Sequence, residues 1–333
     1  MDRCRRLNAS SQPLVTVATA VYNGERYLAE CAESVLGQTH SNWRYYIIDN
    51  CSTDRTPEIA QEIASRDPRI HYRRCDDFVD VNESYSRGFA AVDPEASYLK
   101  IVDSDDWIYP ECLERMVALA ESEPTVGMVS AYRLNEARGA AMVDQVNLPY
   151  TQSTTEGREI IARSLVSPVS VIGPPTALLW RADLVRARQP FFDAKFRHAD
   201  ADANYWTLMQ SRYGLVHQVL TYSRGHEASE TSLSDRLAAY APERLRMIIR
   251  YGPQVLPEED YQKLLREKID EFLAYHRRLF VWWHLKSPFR KAWRPEVQAR
   301  REFHRHEVEL MAEEAPDSPE VQRMVRIARV LLH

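Results

Sequence analysis

The stretch PLVTVATAVYNGERYLAECAESVLGQTHSNWRYYIIDN (Pro13–Asn50) decides the predicted fold. Its first part, Pro13–Asn23, is rich in β-branched residues and ends in a loop signal, which is typical of a buried parallel strand. Apolar residues then recur at helical spacing over Glu25–Thr39, and Trp43–Asn50 has the composition of a second strand. Strand, helix and strand in this order begin an α/β pattern.

The alternation continues, with strand-like and helical segments following one another about every 25 residues up to residue 133. It predicts an α/β fold with a doubly wound, mostly parallel sheet. Residues 1–12 are expected to be a disordered lead-in, and 13–233 to form one α/β domain. Within that domain, 133–170 is predicted to be irregular, with one helix near Glu156–Val166.

Composition limits the classes of protein that this chain can represent. It has 333 residues, 44% of them hydrophobic, and a formal net charge of -5, which argues against a general nucleic-acid binder. Five cysteines without a CxxC pair favour free thiols in the cytosol over a disulfide framework. We find no apolar run of the ~18 residues that a membrane helix needs, and no signal-peptide pattern at the N-terminus.

Polar side chains fall where three of the predicted strands end. These are Asn23, Asp49 and Asp103. Open sheets of this kind bind ligands in the crevice at the carboxyl ends of their strands, so the three side chains predict one shared site.

The segment LKIVDSDDWIYP carries three carboxylates, Asp103, Asp105 and Asp106, directly after an apolar run. Carboxylates this close repel one another, and burying one unpaired is costly. A D-x-D pair at a strand end suits Mg2+ or Mn2+ that also touches a phosphate. The bare motif also occurs in loops and helix caps, so a purely structural role stays an alternative.

Three segments in order, VTVATAVYNGERYLAECAESVLGQT, YYIIDNCSTDRT and LKIVDSDDWIYP, closely resemble glycosyltransferase family 2, the inverting enzymes with a GT-A fold. The resemblance covers about residues 13–234 and is most specific before Arg133. It implies a catalytic domain over 13–233, with a nucleotide-binding half at 13–132 and an acceptor-binding half at 133–233.

The activity implied by the resemblance is metal-dependent, inverting transfer of a sugar from a nucleotide diphosphate donor, expected to be a UDP-sugar. The acceptor would be a hydroxyl of a saccharide, a glycan or a lipid-linked glycan, in the synthesis of surface polysaccharide or glycoconjugates. Mn2+ or Mg2+ would be the cofactor, and nucleic acid would not be a partner.

The resemblance also implies which residues hold the donor. Tyr22 would lie against the base, Glu25 would secure the loop, and Asn50 stands where many members have Asp. Because an amide both donates and accepts, Asn50 weakens the prediction of uracil. The implied donor-site residues are Ala20, Val21, Tyr22, Asn23, Glu25, Asp49, Asn50, Asp103, Ser104 and Arg224.

The metal and the general base are implied in the same way. Asp105 is the foremost candidate for metal contact, with Asp103 and His226 beside it. Asp202 stands four residues before Trp206 in ADADANYW, the usual spacing of the family's base, but Ala201 replaces the preceding Glu. Asp200 therefore stays an alternative base, and both aspartates could simply cap a helix.

Residues 234–333 are predicted to form a C-terminal helical region. Within it, the Trp-rich and basic stretch Glu271–Pro295 is interpreted as helices packed on the catalytic domain or on a second subunit. The alternative is an interfacial anchor on an anionic membrane. We predict that Trp282 and Trp283 are buried against protein. Breaks are expected at Pro253, Pro257, Pro288, Pro295 and Pro316.

Two other functions fit the same fold. A sugar-nucleotide nucleotidyltransferase would show a Gly-rich phosphate loop and a Lys after the first strand, where this chain has Asn23–Gly24–Glu25. A non-catalytic glycan-binding or scaffold protein is kept open by Asn50 and Ala201. The expected location is cytoplasmic, with the inner face of the membrane as a further option.

Overall fold

The computed structural model describes residues 12–137, 140–144, 148–167, 171–225, 230–284 and 290–332. At positions 137, 140–141, 144, 230–232, 282–284 and 290–294 the description is limited to the backbone.

Among the described residues, one ten-stranded sheet forms the centre of the α/β part. Its strands are β1 (Val15–Val21), β2 (Trp43–Asp49), β3 (Ile70–Arg74), β4 (Tyr98–Ile101), β5 (Trp107–Ile108), β6 (Val126–Ala137), β7 (Ala140–Asp144), β8 (Thr154–Glu156), β9 (Leu178–Arg181) and β10 (Arg212–Ser223).

Helices alternate with the first strands and then dominate the C-terminal part. They are α1 (Leu28–Leu36), α2 (Thr56–Arg66), α3 (Val81–Ala90), α4 (Cys112–Ser122), α5 (Gly157–Val166), α6 (Ala182–Ala187), α7 (Ala199–Leu208), α8 (Glu230–Leu237), α9 (Tyr240–Val255), α10 (Glu258–His284), α11 (Arg290–Glu314) and α12 (Pro319–Leu332).

The strand order is β3-β2-β1-β4-β9-β6-β10-β5. The first four strands run parallel, and β9 enters antiparallel between β4 and β6. In this register Val21 stands opposite Asp49, and Asp49 stands opposite Arg74. The carboxyl ends of β1, β2 and β3 are therefore level with one another, and the loops that follow them meet at one edge.

Burial explains why β1 consists almost entirely of apolar and β-branched residues. Side chains of β1 are buried on both faces of the sheet, as expected for a strand covered by helices on either side. Helix α1 buries Leu28, Cys31, Ala32 and Val35, which recur at helical spacing.

Two sequence-based expectations about local structure are wrong. The stretch 133–170 is not irregular at its start, because β6 continues to Ala137 and pairs antiparallel with β7. Pro253 and Pro295 do not break helices, since they lie inside α9 and α11. Pro288 lies outside the described residues.

The chain divides into two compact units. The first comprises residues 1–160 and 169–225, and the second comprises 161–168 and 226–333. The first unit ends before the predicted domain boundary at 233 because α8 packs with α11 of the helical unit, where Arg300 donates to the carbonyl oxygen of Arg236.

Among the described helices, none is both long and apolar enough to cross a membrane. The side chains of Trp282 and Trp283 lie outside the description, so their burial stays a prediction. Contact of the helices of 234–333 with lipid or with a second copy of the chain also stays a prediction.

Candidate active site

The loop after β1 is fixed by its own backbone and by the loop after β2. Asn23 adopts φ 51°, a left-handed conformation that Asn tolerates better than most residues. Its backbone N–H donates to the Ser52 hydroxyl at 2.9 Å, and its side-chain oxygen accepts from the Thr53 N–H at 2.8 Å. A Cβ added at Gly24 would lie 2.5 Å from the Val21 side chain, so this turn requires glycine.

Glu25 and Asp54 tie the same two loops together from the other side. The Glu25 carboxylate accepts from the Arg55 N–H at 3.1 Å, and its own N–H donates to Asp54 at 3.0 Å. Asp54 also accepts from the Thr56 N–H at the start of α2. Burial alone would raise the pKa of Asp54, but the hydrogen bonds from Thr56 and Glu25 outweigh it and lower that pKa. Both residues thus act on loop structure.

Asp49 at the end of β2 is fully buried and already has several partners. One oxygen accepts from the Ser52 N–H at 2.8 Å, and the other accepts from the Tyr72 hydroxyl at 2.8 Å, with Arg74 3.5 Å away. These contacts hold the loop after β2 against β3.

Asn50 uses both ends of its side-chain amide on one backbone position. Its nitrogen donates to the carbonyl oxygen of Val79 at 2.8 Å, and its oxygen accepts from the Val79 N–H at 3.0 Å. The side chain is buried. In this arrangement Asn50 clamps the loop after β3.

Ala20 and Val21 form the last residues of β1, and Val21 accepts a hydrogen bond from the Asn50 N–H at 2.8 Å. The Tyr22 ring follows them and is 48% exposed. It contacts the ring of Phe78, which the sequence analysis did not single out, with 4.7 Å between the ring centroids.

The carboxylates of the DSDD segment lie at the end of β4. Asp103 accepts from the Tyr85 hydroxyl at 2.6 Å, and its N–H donates to the Thr176 hydroxyl at 3.0 Å. Asp106 is buried and accepts from the Ser223 hydroxyl and the Arg224 N–H. Asp105 is half-buried between them. Tyr85 and Ser223 thus orient two carboxylates of the cluster.

Burial and the crowding of like charges raise the pKa values of two of these carboxylates. Burial, followed by the charge of Asp105, raises the pKa of Asp103. Burial, followed by the charges of Asp103 and Asp105, raises the pKa of Asp106. The charge of Asp200 also contributes to the rise at Asp103. A cation is the simplest means of relieving this repulsion.

Lys100 lies in β4, the strand that leads into the carboxylate cluster. It is fully buried in β4, and its ammonium donates to the carbonyl oxygens of Thr176 and Leu178. Burial lowers the pKa of Lys100, while the charges of Asp103 and Asp106 oppose that change.

Arg224 follows β10 and lies against the same loop. Its guanidinium donates to the carbonyl oxygen of Asp105 at 3.2 Å and to Glu30 at 2.6 Å, and it lies 4.4 Å from the centre of the Tyr27 ring. Arg224 therefore lies next to the DSDD segment, and its part in donor binding stays a prediction. Ser104 lies in the DSDD turn, its hydroxyl 3.7 Å from the position of a Cβ built on Gly24.

The two candidate bases at the start of α7 differ sharply. Asp202 is fully buried and forms an ion pair with Arg188. Asp200 is half-buried, and its charge reaches Asp103. The charge of Asp200 thus acts on the carboxylate cluster, and the choice of base between Asp200 and Asp202 stays a prediction.

The carboxylates at this edge of the sheet suit a divalent metal that takes its remaining ligands from phosphate and water. Within the described residues, no three His, Cys, Asp or Glu side chains are grouped to hold a metal ion by themselves. Mg2+ and Mn2+ sites at phosphates commonly use one or two carboxylates together with phosphate oxygens and water. Asp103 and Asp105 could supply these carboxylates. His226, the third predicted ligand, lies outside the described residues.

Sequence reasoning missed Phe78, Tyr85, Lys100, Thr176 and Arg188. Lys100 gave the clearest signal, because a lysine inside the apolar run LKIV must find partners when that strand is buried. The other four act through contacts between segments far apart in the chain, for which a single sequence gives no spacing signal.

Comparison with known proteins identifies the family of this chain. The model of the family described as glycosyl transferase family 2 matches residues 16–182, which is half of the 333-residue chain. Glycosyltransferase GlyA of Streptococcus pneumoniae serotype 4 is 31% identical over 126 residues, covering 38% of this chain and 18% of GlyA. The uncharacterized glycosyltransferase alr2836 of Nostoc sp. is 26% identical over 226 residues, covering 65% of this chain and 66% of that protein.

Solved structures share the fold. S. aureus TarS 1–349, crystallised in complex with UDP-GlcNAc, superposes with a TM-score of 0.62 at 15% identity over 96% of this chain and 90% of that one. The mannosyltransferase PcManGT of Pyrobaculum calidifontis, in complex with GDP-Man and Mn2+, gives 0.54 at 15% identity over 97% and 87%. These likenesses confirm the predicted α/β fold of GT-A type. The family model matches half of the chain, including the loops after β1, β2 and β3 and the DSDD segment, and it shows that the chain belongs to glycosyltransferase family 2.

Proposed function

We propose that this protein is a metal-dependent, inverting glycosyltransferase that moves a sugar from a UDP-sugar to a hydroxyl of a saccharide, glycan or lipid-linked glycan. The observation that carries the proposal is the cluster of Asp103, Asp105 and Asp106 at the end of β4, with Arg224 beside it. UDP is favoured as the nucleotide because TarS, of the same fold, was crystallised with UDP-GlcNAc.

The donor would lie across the carboxyl ends of β1 to β4, in the nucleotide-binding half at 13–132. Its base and ribose would meet the loops after β1 and β2, and its diphosphate would reach Asp103 and Asp105. Mn2+ or Mg2+ held there would supply positive charge to the diphosphate. The guanidinium of Arg224, already within reach of the DSDD backbone, would add a second positive charge on the departing side.

The acceptor would enter from the half at 133–233. We assign the general base to Asp200, because it is half-exposed and within electrostatic reach of Asp103, whereas Asp202 is buried with Arg188. The acceptor oxygen forms a bond to the anomeric carbon as the bond from that carbon to the diphosphate breaks. The proton of the acceptor hydroxyl passes to the Asp200 carboxylate. Inversion follows because attack comes from the face opposite the leaving group.

Synthesis of surface polysaccharide or glycoconjugates is the role that best suits such an acceptor. The cytoplasmic location, with the inner face of the membrane as a further option, stays a prediction.

The test is a titration of UDP into the protein with and without Mn2+, followed by an assay of UDP release from UDP-sugars. We expect Mn2+ to increase UDP affinity, and Asp105→Asn to remove that increase while the fold is retained. Asp183→Asn, at an exposed position on α6, is the matched control and should behave as the parent. Metal-dependent affinity unchanged in Asp105→Asn would contradict the assignment.

The same assay separates the rival functions. Release of pyrophosphate from a nucleoside triphosphate and a sugar 1-phosphate would identify a nucleotidyltransferase instead. Tight binding of UDP without turnover on any sugar or acceptor would identify a non-catalytic member of the fold.

A further inference from the structure

One buried lysine has no part in the proposed reaction. Lys100 lies in β4, and none of its surface is exposed. Burying an ammonium group is costly unless it is paired or hydrogen-bonded, so a lysine at such a position needs a specific reason. Its ammonium donates to the carbonyl oxygen of Thr176 and, at 3.0 Å, to that of Leu178. Lys100 therefore uses a buried charge to hold one short segment of backbone.

That segment is a tight turn directly before β9. Pro175–Ala177 forms one turn of 3-10 helix, in which the Ala177 N–H donates to the carbonyl oxygen of Pro174 at 2.9 Å. The rings of Pro174 and Pro175 fix two successive φ angles, which restricts the turn further. The last carbonyl groups of a helical turn have no partner within it. Lys100 supplies that partner from the neighbouring strand β4.

Thr176 connects this turn to the DSDD segment. It is fully buried, and its hydroxyl accepts from the Asp103 N–H at 3.0 Å. Burial raises the pKa of Asp103 and that of Asp106, and a hydrogen bond with the Thr176 hydroxyl opposes the rise in both. A hydroxyl has one proton, so it can donate to only one carboxylate at a time. Thr176 therefore lies beside both carboxylates and restrains them.

We propose that Lys100 and Thr176 act as one positioning unit for the metal carboxylates. Lys100 fixes the turn, and the Thr176 hydroxyl holds the DSDD segment in the conformation that receives Mn2+ or Mg2+. The inference rests on the proposed function and adds to it two residues outside the predicted contacts to donor and metal. Hydrogen-bond partners of ligating carboxylates commonly set the affinity of a metal site.

A purely structural role is the alternative. Lys100 would then serve only to satisfy two carbonyl groups, and Thr176 only to accept from one buried N–H. Their removal would lower the free energy of unfolding and leave metal binding unchanged. Thr16 offers a matched comparison near the start of β1, because it is also fully buried and its hydroxyl accepts from the N–H of Asp93 at 3.0 Å.

The first experiment measures the affinity of Mn2+ by calorimetry with UDP in excess. We expect Thr176→Val, which keeps the shape of the side chain but removes the hydroxyl, to weaken Mn2+ binding by about 10- to 100-fold, the usual loss when a partner of a metal ligand is removed. Thr176→Ser keeps the hydroxyl and should retain the parental affinity. Thr16→Val is the control and should also retain it.

Urea denaturation of the ligand-free variants separates positioning from stability. Both valine variants should lose stability, since each leaves a buried N–H without its acceptor. Loss of Mn2+ affinity in Thr176→Val alone then reports on the carboxylates. Unchanged Mn2+ affinity in Thr176→Val, or an equal loss in Thr16→Val, would overturn the inference while the proposed function stands. If the parent binds no Mn2+ together with UDP, the proposed function itself fails.

A double-mutant cycle tests the part assigned to Lys100. If Lys100 acts through Thr176, Lys100→Met should weaken Mn2+ binding about as much as Thr176→Val does, and the double variant should lose little more. Additive losses would show that Lys100 acts separately, through its charge, and would overturn the single unit. Should Lys100→Met fail to fold, Lys100→Gln replaces it in the same cycle, because glutamine is uncharged but keeps a hydrogen-bond donor.

Discussion

Asp200 and Asp202 stand two residues apart at the start of α7, and that spacing forces them to different faces. Each residue of an α-helix turns by about 100°, so positions i and i+2 point to nearly opposite sides. The side that holds Asp202 is buried and carries the ion pair to Arg188. Asp200 lies on the other side, and its charge raises the pKa of Asp103.

We therefore predict opposite phenotypes for the two Asp→Asn variants. Asp200→Asn should keep UDP affinity and lose about 100- to 10,000-fold in turnover, the usual contribution of general-base catalysis. Asp202→Asn should instead lower the free energy of unfolding, by about 3–5 kcal/mol, because Arg188 loses its buried partner. Steady-state kinetics and urea unfolding measure the two effects. A larger loss of turnover in Asp202→Asn at unchanged stability would return the role of base to Asp202.

The sequence could not make this choice. The spacing to Trp206 favoured Asp202, but spacing says nothing about which face of α7 meets the sheet edge. Arg188, which pairs with Asp202, lies outside α7, directly after α6. By contrast, Asp49 and Asp103 were placed at strand ends from local pattern alone, because hydrophobic runs followed by polar residues define such ends.

At the scale of elements, α9 and α11 are joined by buried charges. Arg246 of α9 is fully buried and lies 3.1 Å from Glu307 and 2.9 Å from Glu314 of α11. Burial raises the pKa of Glu307 to about 7, although Arg246 opposes the rise. Burying this ion pair costs desolvation free energy. Removing one partner costs more, because the other charge then stays buried and unpaired.

Removing only the arginine should therefore destabilise the helical unit strongly. We expect Arg246→Met to lower the free energy of unfolding by about 3–5 kcal/mol. Arg246→Met/Glu307→Leu should recover part of that loss, because it also removes the buried carboxylate of Glu307, while Glu314, which is partly exposed, stays without Arg246. Chemical denaturation at constant pH measures both. Arg329→Gln breaks a half-exposed pair with Glu309 and serves as the control, with an expected change below about 1 kcal/mol. A double variant no more stable than the single one would refute this account.

A second buried polar contact joins α10 to α11. His304 Nδ1 lies 2.8 Å from His276 Nε2, and His304 Nε2 lies 3.0 Å from the carbonyl oxygen of Leu237. Since a carbonyl only accepts, His304 Nε2 carries a proton and Nδ1 accepts from His276. Burial lowers the pKa of His276 to about 3 and that of His304 to about 4. Both rings are thus neutral in the folded protein.

These pKa values predict a stability that falls in acid. A histidine whose pKa is lower in the folded than in the unfolded state does not reduce the free energy of unfolding at pH values above its unfolded pKa, near 6.5. Below that value the unfolded state binds more protons, so the free energy of unfolding falls by up to about 1.4 kcal/mol per pH unit for each histidine. Glu307 opposes this, because its raised pKa adds stability as pH falls below about 7.

The comparison of variants isolates the histidines. Denaturation curves between pH 7.5 and pH 5 should show a smaller loss of stability, or a gain, in His276→Phe/His304→Gln. His71→Gln, at an exposed position on β3, should follow the parent. An unchanged pH slope in the double variant would exclude the histidine pair as its cause.

Elements were predicted well where pattern is local and less well where it is not. Apart from the two-residue strand β5, the strands and helices up to α4 follow from apolar spacing. The β6–β7 hairpin was missed, since β6 runs without a break from the buried Val126 into polar residues beyond Arg133. Pro295 was expected to end a helix, yet it lies within α11. Proline is tolerated in a helix when other contacts stabilise the flanking turns, as tertiary packing overrides propensity.

At the scale of the whole molecule, the candidate site and the buried polar contacts of the helices belong to different units. The loops at residues 20–25, 49–54, 75–79 and 103–106 lie in the first unit, and α9 to α12 lie in the second. A ligand that binds only the native site stabilises the cooperative unit that contains the site, by about 2.7 kcal/mol at a concentration 100 times its dissociation constant. The second unit gains this stability only if the two units open together.

We predict that UDP with Mn2+ protects the first unit and leaves the second unchanged. Hydrogen exchange followed by mass spectrometry should show amides of β1 to β4 exchanging up to about 100-fold more slowly with ligand, as linkage requires. Peptides from 240–281 and 295–332 should exchange at the same rate with and without it. In Asp105→Asn the part of the protection that depends on Mn2+ should disappear, because that carboxylate is a proposed metal ligand. Equal protection of peptides from both units would show instead that the chain opens as one cooperative body, and that the helices α9 to α12 gain stability from the nucleotide although they do not bind it.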